Sequence, residues 1–314
     1  MLPSLDIIII NWNSSIQLRE CLEAVASADR QEFRLDKVII VDNASTDRSL
    51  EGLEQIGLPI EIIRNAKNNG FGAACNQGAA ISTADYLLFL NPDTKTAPDA
   101  IDRAISFMEK PDRQQVGVVG IQLVDSRGKI QRSCARFLTP STLWCSILGI
   151  DKLFKNKSTS YMMTEWDHNN TQPVDHVMGA FYLIRSEIFR SLNGFDESFF
   201  VYFEDLDLSY RVKKLGWLSY YLADARSFHK GGGTSENIKA TRLFYSLRSR
   251  ILYGYKHFNP IQANLMMLAS LSIEPFTRII FALLKLSGSQ VKETIFGYAQ
   301  LFANLPEIYK SSGS

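Results

Sequence analysis

The first ninety residues alternate short apolar runs with amphipathic stretches. Continuous apolar runs predict strands buried on both faces, and they lie at residues 5–11, 37–42, 60–64 and 86–90. Apolar positions at helical spacing predict helices near 15–28, 47–55, 72–82 and 99–109. This β-α-β-α series predicts an α/β fold with a doubly wound sheet and right-handed crossovers.

The hydrophobic pattern becomes less regular further along the chain, and in the C-terminal region it predicts only helices. After a predicted strand at 116–123, residues 125–173 are rich in polar residues and favour loops and short strands flanking a cleft, with one helix at 142–154. Regular spacing then predicts a strand at 177–184, helices at 186–192 and 205–215, and a strand at 218–222. From residue 236 on there are only helix signals. We therefore expect a catalytic domain over 1–235 and a helical region over 236–314.

Polar side chains follow three of the predicted strands. Asn11 ends the first, Asp42 ends the second, and Asn91-Pro92-Asp93 follows the fourth. Ligands of open α/β sheets bind beyond the carboxyl ends of the strands. These residues are therefore expected to meet at one edge.

Composition and charge exclude some partners. The chain has 314 residues, 46% hydrophobic and 21% charged, with a net charge of +1, which is typical of a globular protein and argues against nucleic-acid binding. The four cysteines form no C-x-x-C pair and no secretory signal opens the chain, so we expect residence in the cytoplasm.

The basic charge is concentrated in the C-terminal region. Residues 236–314 hold nine Lys/Arg against four Asp/Glu, which leaves 25 against 29 for residues 1–235. The apolar runs at 263–273 and 279–286 are much shorter than the ~20 residues of a spanning helix. A basic region with short amphipathic helices favours peripheral binding to an anionic membrane surface. The alternative is that these helices bury one another or form the interface of a homodimer.

Five motifs occur in order along the chain. They are Val-Asp-Asn-Ala-Ser-Thr-Asp at 41–47, Asn-Asn-Gly-Phe-Gly-Ala-Ala-Cys-Asn-Gln-Gly at 68–78, Asn-Pro-Asp at 91–93, the Gly-Phe-Asp-Glu to Tyr-Arg stretch at 194–211, and Phe-His-Lys-Gly-Gly-Gly-Thr-Ser at 228–235. Together, over about residues 5–258, they resemble the inverting family-2 glycosyltransferases, and within them the rhamnosyltransferase-like branch. The resemblance implies the GT-A nucleotide-diphospho-sugar transferase fold, here with a doubly wound mixed sheet and a C-terminal helical appendix.

The resemblance implies a nucleotide site built from the first two motifs. Asp42 would accept hydrogen bonds from the nucleobase imide or the ribose, and the other nucleotide-binding residues would be Asn11, Asn68, Gly70 and Asn76. Small residues at 70–78 let the backbone approach a diphosphate at a helix N-terminus. The residues alone leave two alternatives open: Asp42 caps the next helix, and 68–78 is a glycine-rich turn packed on the sheet.

The resemblance also implies a divalent cation, Mg²⁺ or Mn²⁺, held against the diphosphate by Asp93 and His229. The family carries Asp-x-Asp where this chain has Asn91-Pro92-Asp93, so one negative charge is missing and metal dependence is an open question. The glycines after His229 suit a mobile flap over the diphosphate. The alternatives are a surface turn at 91–93 and an ordinary hydrogen-bonded histidine.

The remaining motif supplies the catalytic residues that the resemblance implies. Asp205 would be the base that takes the acceptor's proton, Glu204 would help to orient it, and Gly179 and Ala180 would form the floor of the acceptor pocket. Asp207 and Arg211 have the spacing of a structural i,i+4 ion pair. An acidic helix N-terminus that complements the macrodipole is the alternative for Asp205.

The predicted function is transfer of L-rhamnose from dTDP-L-rhamnose to a polyprenyl-diphosphate-linked oligosaccharide, at the inner face of the plasma membrane, in surface polysaccharide synthesis. A UDP-hexose or UDP-N-acetylhexosamine donor is the alternative within the family. A sugar-nucleotide-binding protein without transferase activity is the alternative from another class, suggested by Asn91. A processive synthase would need membrane spans and a Gln-x-x-Arg-Trp motif, and a nucleotidyltransferase would need an N-terminal glycine-rich loop with a basic residue; the sequence has neither pattern.

Overall fold

The computed structural model describes residues 1–154, 156, 158–231 and 239–312, with no side chains described after 308. The chain divides into two compact units. The first comprises Met1–Ala135, Trp166–Glu197 and Glu204–Thr234, and the second Arg136–Glu165, Ser198–Phe203 and Ser235–Ser314. The domain boundary at 235/236 stays a prediction, and the second unit takes in two earlier segments besides the C-terminal region.

The described elements are as follows. The strands are β1 Ser4–Asn11, β2 Arg34–Asp42, β3 Ile60–Arg64, β4 Tyr86–Leu90, β5 Thr94–Thr96, β6 Val116–Val124, β7 Cys134–Ala135, β8 Gln172–Val174, β9 His176–Val177, β10 Phe181–Arg185 and β11 Leu218–His229. The helices are α1 Ile16–Ala26, α2 Phe71–Ala80, α3 Ala100–Glu109, α4 Pro140–Ile147, α5 Ile150–Leu153, α6 Ser186–Ser191, α7 Glu204–Lys214, α8 Lys239–His257, α9 Pro260–Ser272, α10 Glu274–Leu284, α11 Gly288–Ala303 and α12 Leu305–Ser312.

One mixed sheet dominates the first unit. Its strand order is β3-β2-β1-β4-β10-β6-β11-β5, with β8 also pairing with β11. Strands β1 to β4 are parallel, whereas β10 is antiparallel to both of its neighbours, β4 and β6. The predicted α/β fold with a mixed sheet and a helical C-terminal region is confirmed.

The sheet is buried because its central strands are apolar on both faces. Every residue of β1 is buried, and α1 packs its Leu18, Leu22 and Val25 into the same core. Helix α2 approaches the other face closely, since a Cβ at Gly78 would lie 2.7 Å from Ile8 Cγ2. The small residues of the 68–78 motif thus allow a helix to lie directly on the sheet.

The prediction of a helix over residues 47–55 is wrong. Residues 43–52 are irregular, and only a short 3₁₀ turn forms at Leu53–Ile56. The Asp47 carboxylate accepts hydrogen bonds from the Ser15 and Ser49 backbone N–H groups at 2.7 and 3.1 Å. Short polar side chains that bind nearby backbone compete with helix formation in this way.

Three other predicted elements differ substantially from the observed ones. The strand predicted over 177–184 is interrupted between β9 and β10 by a turn at 178–180, and the strand predicted over 218–222 continues as β11 to His229. The helix predicted over 142–154 is two short helices, because Gly149 between them has a positive φ of 73°.

The second unit is helical and contains a buried ion cluster. Glu274, at the start of α10, pairs with Arg250 of α8 and accepts a hydrogen bond from Arg278 at 2.9 Å. Glu274 is 1% exposed and Arg250 is 7% exposed.

No described helix is by itself long and apolar enough to cross a membrane. Helices α9 and α10 reach that length and apolar composition only as a pair, with a 42° bend between them.

Candidate active site

The pairing of β5 with β11 brings two predicted metal ligands together. Asp93 closes the turn between β4 and β5, and the antiparallel register places His229, the last residue of β11, opposite Thr94. His229 Nε2 lies 3.5 Å from Asp93 Oδ1, and the two side chains are only 7% and 9% exposed. The predicted glycine flap falls on residues 232 and 233, outside the described residues, apart from Gly231.

Gln131 fixes the orientation of the His229 ring, a role that sequence reasoning missed. Its amide nitrogen donates to the His229 carbonyl at 2.6 Å, and its amide oxygen lies 2.8 Å from His229 Nδ1. This pair of contacts assigns the ring proton to Nδ1 and leaves the Nε2 lone pair facing Asp93. Burial lowers the pKa of His229, and the Asp93 charge offsets this only in part, which favours the neutral, ligating form.

These residues fit a divalent cation bound together with a phosphorylated ligand. One carboxylate and one imidazole suit Mn²⁺, and Mg²⁺ commonly takes one or two protein carboxylates plus substrate phosphates. Within the described ranges, no three His, Cys, Asp or Glu side chains assemble into a metal site. The remaining coordination positions would therefore fall to phosphate oxygens and water.

Asn11 and Asp42 lie side by side at the carboxyl ends of neighbouring strands. The parallel register pairs the two residues, and Asn11 Nδ2 donates to Asp42 Oδ1 at 2.7 Å. Asp42 Oδ2 accepts the Ser45 backbone N–H at 3.2 Å. The structure therefore brings these two predicted nucleotide ligands together, with Asp42 also binding the backbone that follows β2.

The 68–78 motif lies next to them and forms several backbone contacts. Asn68 Oδ1 accepts the Gly70 N–H at 2.9 Å, and Asn43, the residue after Asp42, donates its amide to the Gly70 carbonyl at 3.1 Å. Gly70 has a φ of 90°, which favours glycine. Asn76 is instead bonded to the 194–197 turn, donating to the Phe195 carbonyl and accepting its N–H, both at 2.9 Å. The predicted nucleotide contacts of Asn68, Gly70 and Asn76 stay predictions.

Asp205, the predicted base, is held at the start of α7 by three contacts. Its Oδ2 accepts the Gly179 N–H at 2.9 Å and lies 3.2 Å from His176 Nε2, and its Oδ1 accepts the Leu206 N–H at 2.8 Å. Burial raises the pKa of Asp205, but His176 and these N–H groups more than offset it, so that the pKa is lowered overall. The lowered pKa favours the ionised form of the Asp205 carboxyl group.

Glu204, its neighbour, is in the opposite state. The residue is 5% exposed, and its Oε2 is buried without a hydrogen-bond partner among the described residues. Burial and the Asp205 charge raise the pKa of Glu204 well above its usual value. Adjacent carboxyl groups whose pKa values are pushed apart are typical of acid–base sites.

The predicted ion pair on α7 is confirmed and anchors that helix. Arg211 Nε donates to the buried Asp207 carboxylate at 2.8 Å. The same guanidinium donates to the carbonyls of Leu192 and Gly194 at 2.9 and 2.8 Å. These bonds fix α7 to the turn that carries the Gly-Phe-Asp motif.

The turn between β9 and β10 joins the two halves of the site. Gly179 holds Asp205, and the carbonyl of the next residue, Ala180, accepts the Asn91 N–H at 3.0 Å. Asn91 opens the turn that ends in Asp93. The predicted acceptor floor, the predicted base and the turn that carries the predicted metal ligand Asp93 are therefore contiguous in the first unit.

Solved structures share this architecture. A mannosyltransferase from Pyrobaculum calidifontis, solved in complex with GDP-Man and Mn²⁺, superposes with a TM-score of 0.58 at 15% identity, over 98% of this chain and 88% of its own. The fold is thus that of the GT-A glycosyltransferases.

The chain belongs to glycosyl transferase family 2, whose model matches residues 6–191, and it is a glycosyltransferase. It is 25% identical over 266 residues to the N-acetylglucosaminyl-diphospho-decaprenol L-rhamnosyltransferase of Mycobacterium tuberculosis, covering 81% of this chain and 84% of that protein. It is also 26% identical over 257 residues to the rhamnosyltransferase WbbL of Escherichia coli, covering 79% and 91%.

Proposed function

We propose that the protein is an inverting glycosyltransferase that moves L-rhamnose from dTDP-L-rhamnose to a polyprenyl-diphosphate-linked oligosaccharide in bacterial surface polysaccharide synthesis. The position of the Asp205 carboxylate, linked through Gly179, Ala180 and Asn91 to the turn that carries Asp93, is the observation that carries the proposal. The names of both relatives support transfer of rhamnose, and the name of the Mycobacterium tuberculosis relative supports a lipid-linked acceptor.

The proposed reaction is a single displacement. Asp205 accepts the proton of the acceptor hydroxyl as its oxygen bonds to the anomeric carbon, and the bond to the diphosphate breaks on the opposite face. Asp93 and His229 would hold a divalent cation, which would supply positive charge next to the diphosphate leaving group. Asn11 and Asp42 hold the nucleoside.

Release of dTDP in the presence of the lipid-linked acceptor tests this mechanism. We expect Asp205→Asn to lower kcat by about a hundredfold or more, because an amide cannot accept the proton. Asp112→Asn is a matched control, since the Asp112 side chain is 70% exposed. Equal activity of wild type and Asp205→Asn would show that Asp205 is not the base.

The donor can be identified independently of the acceptor. Uracil and thymine both present an imide N–H to a carboxylate such as Asp42, so a UDP-hexose or UDP-N-acetylhexosamine is the alternative donor. We expect dTDP-L-rhamnose to raise the thermal midpoint more than UDP- or GDP-sugars do, and Mn²⁺ to enlarge the effect. Stabilisation by a UDP-sugar alone would exclude the rhamnosyl donor.

We further propose that the protein works on the surface of the cytoplasmic membrane, where a lipid-linked acceptor would lie. Helices α9 and α10 each leave one apolar face in water. On α9 the exposed residues Ile261, Leu265 and Leu268 have helical spacing, while Ala263, Met266 and Ala269 are buried. On α10 the corresponding exposed residues are Phe276, Ile280, Leu283 and Leu284, 56–74% exposed. We call these seven exposed residues the apolar face.

Charge favours an anionic lipid surface as the occupant of this face. The acidic residue of α10, Glu274, is buried between Arg250 and Arg278, so its charge does not reach the surface. Lys285 follows α10 directly, and Lys292 lies on α11; both are exposed. Exposed lysines beside apolar side chains suit the headgroup region of an anionic leaflet.

Flotation with lipid vesicles tests the membrane proposal without any substrate. We expect binding to vesicles that contain anionic lipid, weaker binding to zwitterionic ones, and loss of binding in Phe276→Ser/Ile280→Ser/Leu283→Ser. The control is Ile16→Ser, because Ile16 on α1 is similarly exposed at 58%. Equal flotation of the triple variant would refute the proposal. Loss of a dimer, rather than of vesicle binding, would instead assign the face to a second copy of the chain.

A further inference from the structure

His176 is a buried titratable residue to which the reaction described above gives no role. It lies in β9 and is 8% exposed. Its Nε2 lies 3.2 Å from Asp205 Oδ2, within ion-pair distance, and neither ring nitrogen forms a hydrogen bond within the described residues. A buried polar ring without other partners requires a local explanation.

The two Asp205 oxygens have different surroundings. A carboxylate oxygen offers about two acceptor directions. Oδ2 accepts the Gly179 N–H and also faces His176 Nε2 at 3.2 Å, whereas Oδ1 accepts only the Leu206 N–H among the described residues. One acceptor direction on Oδ1 is therefore left open.

We infer that His176 is a positioning residue that, together with Gly179, anchors Oδ2 and leaves Oδ1 as the oxygen that takes the proton from the acceptor hydroxyl. The inference rests on the proposed function of Asp205 as the base. The proton passes to Oδ1 while the acceptor oxygen bonds to the anomeric carbon, and the electron pair of the breaking bond leaves with the diphosphate. His176 itself gains and loses no proton in this step.

The other titratable groups near Asp205 do not duplicate this contact. Glu204 on the same helix is buried and favours its neutral form, and the Cys75 thiol on α2 is buried with its pKa raised well above its usual value. Tyr182 on β10 bonds to Ser209 at 3.0 Å instead. Among these neighbours, His176 is the one whose ring nitrogen lies 3.2 Å from the carboxylate.

Two substitutions at His176 distinguish a role in positioning Asp205 from a role in packing. His176→Phe keeps a flat ring and removes the N–H, whereas His176→Gln keeps an N–H donor at a similar reach. We expect His176→Phe to lower kcat by about tenfold with the donor KM unchanged. The acid limb of its pH profile should move to higher pH, because His176 lowers the pKa of Asp205. His176→Gln should recover most of kcat, with a smaller move of the limb in the same direction.

Tyr182→Phe is the control, because it removes a buried hydrogen bond to α7 without touching Asp205. Its acid limb should stay at the wild-type pH. The inference is overturned if His176→Phe keeps the wild-type kcat and acid limb, or if the Phe and Gln variants lose kcat equally while the limb stays in place.

Asp205→Asn in the same assay distinguishes a wrong assignment of the base from a wrong assignment of His176. An active Asp205→Asn would refute the proposed base. An inactive Asp205→Asn beside an unaffected, folded His176→Phe would refute only the role of His176. If His176→Phe does not fold, His176→Gln takes its place in the test. An acid limb at the wild-type pH in folded His176→Gln would then refute the role of His176.

Discussion

His229 presents Nε2 to Asp93 because Gln131 holds its other ring nitrogen. Groups that orient a metal-binding histidine typically change metal affinity by about ten- to a hundredfold when they are removed. We therefore expect Gln131→Met to weaken Mn²⁺ binding by about tenfold or more. Titration of free Mn²⁺ in the presence of dTDP measures this, with the exposed Gln114→Met as control. Unchanged affinity would show that Gln131 does not orient the ring for a metal.

The side chain at position 91 should also affect metal affinity. Asn91 opens the turn that ends in Asp93 and replaces the first carboxylate of the motif in similar enzymes. Asn91→Asp restores that charge, and we expect Mn²⁺ to bind about tenfold more tightly, because affinity rises with ligand charge. No change in the Mn²⁺ titration would mean that the side chain at 91 does not contact the metal.

The sequence predicted single residues only where a motif carried them. Asp93 and Asp205 stand in ordered motifs, but His176 and Gln131 fall where the hydrophobic pattern is weak or irregular. Gln131 reaches His229 because the chain turns back after β6, where Ile130 pairs with Val124 and the Gln131 N–H bonds to the Leu123 carbonyl; no local periodicity encodes this turn. The contact of His176 with Asp205 depends on the turn at 178–180, which an uninterrupted strand prediction conceals.

That turn is the element on which the catalytic geometry depends. A Cβ at Gly179 would lie 3.3 Å from Asp205 Oδ2. We expect Gly179→Ala to displace the carboxylate and to lower kcat by about tenfold, with little change in the thermal midpoint. Gly288→Ala is the matched control, since its Cβ would meet nothing within 4 Å. Wild-type kcat in Gly179→Ala would show that the contact is tolerated.

The start of α10 gives a prediction about stability. Burial raises the pKa of Glu274, but Arg250 and Arg278 lower it by more, so the folded-state pKa lies below the ordinary value of a glutamate. Its contribution to stability is therefore fully present above that value and is lost as the pH falls through the lower, folded-state pKa. Glu274→Gln should cost about 3–5 kcal/mol at pH 7, because it leaves buried arginine charge unpaired.

Chemical unfolding of wild type and Glu274→Gln, at pH 7 and at acid pH, measures this difference. The exposed Glu51→Gln serves as control. A difference between Glu274→Gln and wild type that is the same at both pH values would contradict the linkage.

Helices and strands could be predicted from the sequence where the hydrophobic pattern was the dominant signal. The observed bounds of β3 and β4 equal the predicted ones, and β4 is a continuous apolar run bounded by Asp85 and Asn91. The three-residue strands β5 and β8 are too short to show a period. Residues 47–55 have a helical apolar pattern, yet the Asp47 side chain binds backbone instead.

At the scale of the whole molecule, charge and apolar surface should act together on membrane binding. Residues 236–314 carry a net charge of +5, whereas residues 1–235 carry −4. At 1 M salt the Debye length falls to about 3 Å, which screens the lysines but leaves the apolar face unaffected. We expect flotation with anionic vesicles to weaken at high salt without being abolished. Complete loss would mean that charge alone holds the protein at the lipid.

The apolar face also has a consequence for handling the protein. In buffer without lipid, seven large aliphatic or aromatic side chains on α9 and α10 would be in contact with water. Surfaces of this kind adhere to one another, so colloidal solubility would be limited by these two helices even when the folded sheet is stable. A mild detergent would cover the same side chains, and its use during purification would separate poor solubility from poor folding.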